Sequence, residues 1–228
     1  MYSRPRAPAL LLGLWAWLCL AGAAWPQAAN DAQPLLRETT VAQGAYTRAE
    51  MPDWVVPAAM PATADKSPVV VAFADTQFLA DETRALFVRR AIQVNDSSAL
   101  TEIGRVSISF VPAYQKLQLH TLRIVRGGQS IDKRESAGLR FLQREAGLES
   151  GIYSGVVLAS LLVDDLRVGD TLEYAYTVTG ENPVFQKKFA DAASWAIGVP
   201  TAHGGVILHQ PYGRDIRYRF VGDRAPGV

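Results

Sequence analysis

Apolar and polar residues alternate along much of the chain after residue 68, and this period of two predicts β-strands with one buried face and one face toward solvent. The alternation is regular over residues 106–110, 172–178 and 216–220. Further strands are predicted over residues 69–73, 84–94, 139–143, 153–163 and 206–209. Since sustained helical spacing is missing, the pattern predicts an all-β fold: nine or ten strands in an antiparallel β-sandwich or saddle of two sheets.

The apolar positions change phase inside the strand predicted near residues 117–124. Two odd-numbered leucines are followed by the even-numbered Leu122 and Ile124. A slip of one residue would turn the later side chains to the wrong face unless a β-bulge absorbs it. We therefore predict a bulge near His120 or Thr121.

Gly127 and Gly128 follow this strand and predict a tight hairpin turn between Arg126 and Gln129, because two glycines accept the positive φ angles of such turns. A glycine pair can also cradle a phosphate. Phosphate loops lead into the N-terminus of a helix, whereas here a return strand begins near Ile131. The hairpin is the favoured interpretation.

The N-terminus has the three parts of a secretory signal peptide. Arg4 and Arg6 precede an apolar run over residues 7–20, and four small residues follow at 21–24. The run is shorter than the ~20 residues that a bilayer-spanning helix needs. Residues 1–24 are predicted to be a signal peptide. The alternative is that they stay uncleaved as an anchor, which would be the only expected contact with a membrane.

The single cysteine, Cys19, lies inside this segment. The bulky Leu18 before it argues against acylation of the thiol, since the lipoprotein peptidase needs a small residue there. Cleavage after Ala23 or Ala24 would leave a chain without thiols. We then expect no disulfide, no thiol nucleophile and no thiolate metal ligand.

Residues 25–60 are rich in Ala, Gln and Pro and are interpreted as a linker or as an N-terminal arm on the domain, which itself would span residues 61–228. Trp54, flanked by valines and prolines, is expected to attach that arm to the core rather than to bind a ligand. Without Arg4 and Arg6 the chain has 23 − 2 = 21 basic and 22 acidic residues, a net charge of −1. This balance argues against a nucleic-acid partner.

Three histidines limit the catalytic chemistry to few arrangements: His120, His203 and His209. The zinc signature His-Glu-x-x-His and the Gly-x-Ser-x-Gly elbow are missing, and Ser154 precedes a strand, where a turn serine is expected. His203 and His209 are six residues apart, roughly 20 Å in a strand, too far for one zinc ion. We predict no catalytic, cofactor-binding or metal-binding residue and no cofactor, and the binding residues stay unknown.

Two groups of charges are interpreted as structural. Acidic residues interrupt a basic group, which favours a solvated face with salt bridges over an anion-binding patch. Three aspartates lack the twelve-residue pattern of a calcium loop and are expected to form turns. The basic residues are Arg123, Arg126, Lys133, Arg134, Arg140 and Arg144, and the aspartates are Asp164, Asp165 and Asp170.

Five segments in order resemble a family known as domain of unknown function 3857. They are residues 108–132, 142–145 (Leu-Gln-Arg-Glu), 151–155 (Gly-Ile-Tyr-Ser-Gly), 168–174 (Val-Gly-Asp-Thr-Leu-Glu-Tyr) and 182–185 (Asn-Pro-Val-Phe). The resemblance extends from about Val69 to about Gly222. It implies a β-sandwich similar to the saddle-shaped N-terminal domain of M1 aminopeptidases. The family has no established catalytic residues to carry over.

The resemblance also implies a setting, because this domain typically precedes a transglutaminase-like core with a Cys-His-Asp triad in secreted bacterial proteins. This chain ends at Val228 before such a core. We therefore expect a noncatalytic accessory module in the bacterial periplasm, whose partner is a transglutaminase-like or peptidase-like core or an extended peptide. The alternatives are a hydrolase that uses a serine or aspartate with a histidine, and a nonfunctional fragment of a split gene.

Overall fold

A computed structural model of the protein describes residues 36–61, 63–144, 154–194, 198–211 and 215–221. Within them the chain is nearly all β-structure and forms two sheets. The strands are β1 (Leu36–Thr39), β2 (Tyr46–Arg48), β3 (Val69–Leu79), β4 (Ala85–Val94), β5 (Arg105–Phe110), β6 (Lys116–Arg126), β7 (Gln129–Asp132), β8 (Gly138–Arg144), β9 (Val157–Leu162), β10 (Thr171–Thr179) and β11 (Gly204–His209).

The smaller sheet has the order β1-β8-β9-β5 and is antiparallel throughout. The larger sheet has the order β11-β3-β4-β10-β6-β2, and β7 also pairs with β6. Its two terminal strands are parallel to their neighbours, β11 to β3 and β2 to β6. The all-β sandwich is thus confirmed, with mixed rather than purely antiparallel pairing. Long crossovers, which parallel neighbours require, reach both of these strands.

The core lies between the two sheets, and alternate residues of facing strands fill it. β10 contributes Leu172 and Val178 while β6 contributes Leu117, Leu119, Leu122 and Ile124, and all six are almost completely buried. Each large aliphatic side chain buried in this way stabilises the fold by about 1.5–3 kcal/mol. From the smaller sheet the cluster includes Val106, Ile108, Phe110, Val157, Ala159 and Leu161.

The predicted bulge lies at His120. β10 pairs Ala175 with Thr121 and the next residue, Tyr176, with Leu119, so His120 has no partner residue across the ladder. The extra residue restores the phase of the strand, and the leucines on both sides of it face the same core. The bulge also turns the His120 ring away from that core.

The predicted hairpin is confirmed as well. Arg126 pairs with Gln129, and the two glycines between them have φ angles of 55° and 82°. Two consecutive positive φ angles match the right-handed twist of the flanking strands. The return strand β7 then runs from Gln129 to Asp132.

The alternation over residues 216–220 does not form a strand, so this prediction is wrong. Residues 215–221 contain no regular structure, and the Tyr218 side chain is 73% exposed. Its ring contacts Phe220 edge to face, with 5.9 Å between the centroids. Alternation marks a surface that suits a sheet, but a strand also needs a free neighbour with which to pair.

Two other elements differ from the sequence prediction. β3 continues to Leu79 instead of ending near Phe73, and α1 (Leu100–Ile103) is a single helical turn that the sequence did not predict. The segment interpreted as a linker or arm contributes β1 and β2. In the part of the chain described here, no helix has the length and apolar character needed to cross a membrane.

Among the described glycines, Gly180, directly after β10, leaves the least room for a Cβ atom. Its φ is +114°, and a Cβ atom there would overlap the carbonyl oxygen of Tyr114. We expect Gly180→Ala to lower the free energy of unfolding by about 3 kcal/mol, from backbone strain plus overpacking. Gly44, with φ +83° and open space around it, is the control, and Gly44→Ala should cost only about 1–2 kcal/mol. Urea denaturation measures both, and equal losses would contradict this account.

Candidate functional site

The outer face of the larger sheet, which is turned away from the core, carries buried polar side chains. Glu173 and Thr177 alternate on β10 with core residues, so they project from the opposite face. The sequence pattern predicts a solvent-exposed face here, and the structure buries it. Five of these polar side chains are at most 5% exposed, and together we call them the polar floor: Asp75, Gln77, His120, Glu173 and Thr177.

Residues 49–60, which we call the arm, contact this polar floor. Trp54 contacts the rings of Phe87 and His209 edge to face, with centroids 6.4 and 5.4 Å away. Val55 is 7% exposed and packs with Phe87 and Ala175. Trp54 attaches the arm to the domain as expected, at the outer face of the larger sheet and not at the core between the sheets.

Glu173 is the charged centre of the polar floor. Arg89 on β4 donates from Nε to its Oε1 at 2.9 Å, and Arg123 on β6 donates from Nε to its Oε2 at 2.7 Å. The Nη2 atoms of the two arginines lie at the same distances from these oxygens, 2.9 and 2.7 Å. The Glu173 side chain is only 2% exposed. A buried carboxylate is tolerated because charge-assisted bonds hold both of its oxygens. The same bonds connect β4, β10 and β6 across the sheet.

Gln77 binds the backbone of the arm through its side-chain amide. Its Oε1 accepts the Val56 N–H at 2.9 Å, and its Nε2 donates to the Val56 carbonyl at 2.8 Å and to Asp75 Oδ2 at 2.8 Å. His209 Nε2 lies 2.9 Å from Gln77 Oε1 and therefore donates to it. The completely buried amide thus has all its hydrogen-bonding groups satisfied. It recognises a peptide unit, not a particular side chain.

His120 joins the bulge, β10 and the arm. Its Nδ1 lies 3.1 Å from the Ala49 carbonyl and must donate to it, so the neutral ring accepts from the Thr177 hydroxyl at Nε2, 2.7 Å away. Burial lowers the pKa of His120 below its usual value. Burial likewise lowers the pKa of His209.

β11 forms one terminal strand of the larger sheet and is the second candidate surface. The carbonyl of His203 accepts the N–H of Ala74 in β3, and that of His209 accepts the N–H of Ala80 directly after β3, so the odd-numbered residues pair with β3. By alternation Gly204, Val206 and Leu208 direct their N–H and C=O groups away from it. Among the described residues no strand pairs with that side. The strand has no charge and no proline, the usual features that block pairing at an edge.

The structure does not assemble the sequence candidates into a catalytic group or metal centre. His203 is exposed and stacks on Phe73 at 5.3 Å, while His209 lies under Trp54. Ser154 Oγ contacts the Val156 N–H at 3.4 Å, as a turn serine does. Within the described ranges no three His, Cys, Asp or Glu residues are placed to hold a metal ion. The predicted signal peptide and Cys19 lie outside those ranges.

Most of the basic group forms the predicted salt bridges. Arg126 binds Asp170 with two bonds of 2.8 and 2.9 Å, and Lys133 binds Asp164 at 2.7 Å. The Arg126 guanidinium holds the pKa of the Asp170 carboxyl below its usual value. The three aspartates are thus paired with cations, and Asp170 closes the turn before β10. Arg123 and Arg134 are paired with Glu173 and Asp132, and the side chain of Arg144 lies outside the described residues.

A family model described as a domain of unknown function with a solved structure, DUF3857, matches residues 80–227, more than half of the chain. The chain belongs to the DUF3857 family. The match begins at the end of β3, later than the resemblance near Val69 suggests, so the arm precedes the matched part of the DUF3857 protein. The motif at 182–185 forms the expected turn, in which Asn182 Oδ1 accepts the Val184 N–H at 3.0 Å.

No curated protein matches the chain. A solved structure described as a candidate protease from Parabacteroides distasonis is similar over 51% of this chain, with 14% sequence identity and a TM-score of 0.45. This chain covers 24% of that protein. A likeness at this level is too low to bear on activity.

We expect Glu173→Ala to lower the free energy of unfolding by about 3 kcal/mol, because Arg89 and Arg123 would lose their shared counter-ion. Glu135→Gln is the control: its carboxylate is 82% exposed and lies 3.4 Å from Arg48, so the loss should stay below about 0.5 kcal/mol. Urea denaturation gives both values. If the two variants were equally stable, the ion pairs would not hold the three strands together.

We expect the protein to lose stability as the pH falls from about 7 to 5. The folded-state pKa of His120 is lowered, so the unfolded chain binds more protons below the unfolded pKa of about 6.5, and acid then favours unfolding. His120→Gln should flatten the dependence in this window, whereas His203→Gln, at an exposed position, should not. The paired aspartates act in a separate window, below about pH 4. Thermal unfolding across pH checks this, and identical curves for both variants would refute it.

Proposed function

We propose that this DUF3857 domain is a noncatalytic binding module of an exported protein, and that it holds an extended segment of another polypeptide at β11. The observation that carries the proposal is the row of outward N–H and C=O groups of Gly204, Val206 and Leu208 on an uncharged terminal strand. An added strand would take its affinity from these backbone groups.

The composition of β11 favours it over β5, one of the two terminal strands of the smaller sheet. β5 alternates exposed Arg105, Ser107 and Ser109 with core residues, and its exposed positions include a charge. β11 has the sequence Gly-Gly-Val-Ile-Leu-His with half-buried apolar side chains. A strand added there would extend a partly apolar surface, which suits an apolar partner strand.

The proposed setting combines export with a neighbouring catalytic core. The features of residues 1–24 support export of the protein, which in a bacterium would take it to the periplasm. The family resemblance supports a transglutaminase-like or peptidase-like core as the partner, with this domain holding its polypeptide substrate. The module itself would need neither a cofactor nor a nucleic acid.

A hydrolase remains the second candidate because one hydroxyl does contact a histidine. Thr177 and His120 are 2.7 Å apart, a distance suitable for a nucleophile and its base. Both side chains are buried, however, and the second nitrogen of the ring faces a backbone carbonyl instead of a carboxylate. Thr177→Val tests this candidate: hydrolysis of a casein substrate by the purified protein that disappears in the variant would favour the hydrolase.

The binding proposal is tested with seven-residue peptides selected from a phage-displayed random library on the purified protein. We expect Val206→Pro to weaken the binding of a selected peptide at least tenfold, because proline removes an outward N–H group while the hydrogen bonds between β11 and β3 stay in place. Val206→Ala, which keeps that N–H, should stay within threefold of the original affinity. Isothermal titration measures both.

Ser107→Pro in β5 is the control for the alternative terminal strand and should leave the affinity for the peptide unchanged. If no peptide were selected, or if Val206→Pro bound as well as Val206→Ala, the proposal would be overturned. Stronger weakening by Ser107→Pro would place the added strand at β5 and would also overturn it.

A further inference from the structure

The arm belongs to a connection that is unusual in its length. Residues 49–68, between β2 and β3, form no strand or helix where they are described. Connections longer than about 12–15 residues without structure of their own are uncommon in compact domains, and they are usually either functional or linker segments. The arm is therefore a segment to test for a role beyond joining two strands.

Most polar contacts between the arm and the sheet involve the backbone of the arm. His120 donates to the Ala49 carbonyl, Gln77 binds both backbone groups of Val56, and Arg89 Nη1 donates to the Ala58 carbonyl at 2.9 Å. Side chains of the sheet thus recognise peptide groups at three points. Backbone recognition does not require that the bound segment belong to this chain.

Two side chains anchor the middle of the arm. The Val55 N–H donates to the Pro52 carbonyl at 3.1 Å, and the resulting turn presents Trp54 and Val55 to Phe87. Other arm residues face solvent, including Met51 at 39% exposed and Val56 at 47%. The specificity of the contact therefore lies in a short Pro-x-Trp-Val turn.

The polar floor would remain a stable surface without the arm. Glu173 keeps its two arginines, and Asp75 keeps Gln77, because these bonds lie within the sheet. A floor of paired and hydrogen-bonding groups can be hydrated when it is uncovered, whereas an apolar floor of the same area would not be. Opening therefore exposes Phe87 and Ala175, the cluster with Phe73 against which Met60 packs, and the two anchors of the arm.

From these contacts we infer that the face above the polar floor is a peptide-binding groove, separate from the β11 edge, and that the arm occupies it in cis. Its ligand in trans is a polypeptide segment that presents a Pro-x-Trp-Val turn. Gln77 binds the backbone of the residue that directly follows this turn. The arm competes for the groove as a tethered ligand, at an effective concentration in the millimolar range. Release of the arm makes the groove available.

The test uses a synthetic peptide with the sequence of residues 49–60 and the purified protein with Trp54→Ala and Val55→Ser, which weaken the arm's own anchors. We expect this double variant to bind the peptide at least tenfold more tightly than the original protein does, by isothermal titration. Met51→Ala with Ala59→Ser, changes at exposed arm positions, is the matched control and should bind like the original protein. A peptide that carries Trp54→Ala should not bind.

Gln77→Leu, added to the double variant, should weaken the binding of the peptide at least tenfold, because the side-chain amide that binds Val56 is lost. Amide hydrogen exchange on the unaltered protein gives a measurement that does not depend on how the variants fold. We expect the Val56 amide to exchange at least a hundredfold faster than the Tyr174 amide in β10. Equal exchange rates, or no peptide binding by the folded double variant, would overturn the inference.

Discussion

The buried carboxylate of Glu173 is the constraint on which the larger sheet depends. It lies on β10, between β4 and β6, and each of its oxygens is held by an arginine from one of these strands. Such a group is stable only when its partners stay in place. The register of the three strands, the position of the bulge at His120 and the polar character of the outer face are therefore linked.

This constraint also explains why the outer face needs a cover of an unusual kind. A purely apolar cover would leave one Gln77 N–H and the His120 Nδ1–H without the acceptors that the arm provides, at a cost of about 1–3 kcal/mol for each buried group. The arm provides peptide groups that satisfy them, and it adds Trp54 and Val55 as apolar anchors. The sheet thus treats part of its own chain much as a binding domain treats a peptide.

The sequence predicted the features that local rules determine. The bulge near His120 followed from the phase change of apolar residues, and the hairpin at residues 127–128 followed from two glycines. The cover of the outer face could not be predicted in this way, because the partners of Glu173 are 84 and 50 residues away along the chain. Asp75 and Gln77 are polar residues that the structure buries in the continuation of β3 beyond the predicted end at Phe73. Whether one side of β11 stays unpaired depends on the order of strands in the sheet. The alternation of apolar and polar residues carries no information about that order.

The central claim, that the unpaired side of β11 accepts an extended polypeptide, is tested most directly by amide hydrogen exchange with and without a selected peptide. The account predicts rapid exchange at Val206 and Leu208 in the free protein and at least tenfold slower exchange in the complex, while Gly205 and Ile207, paired with β3, are protected in both states. Protection of Val206 and Leu208 in the free protein, or rates that the peptide leaves unchanged, would contradict it.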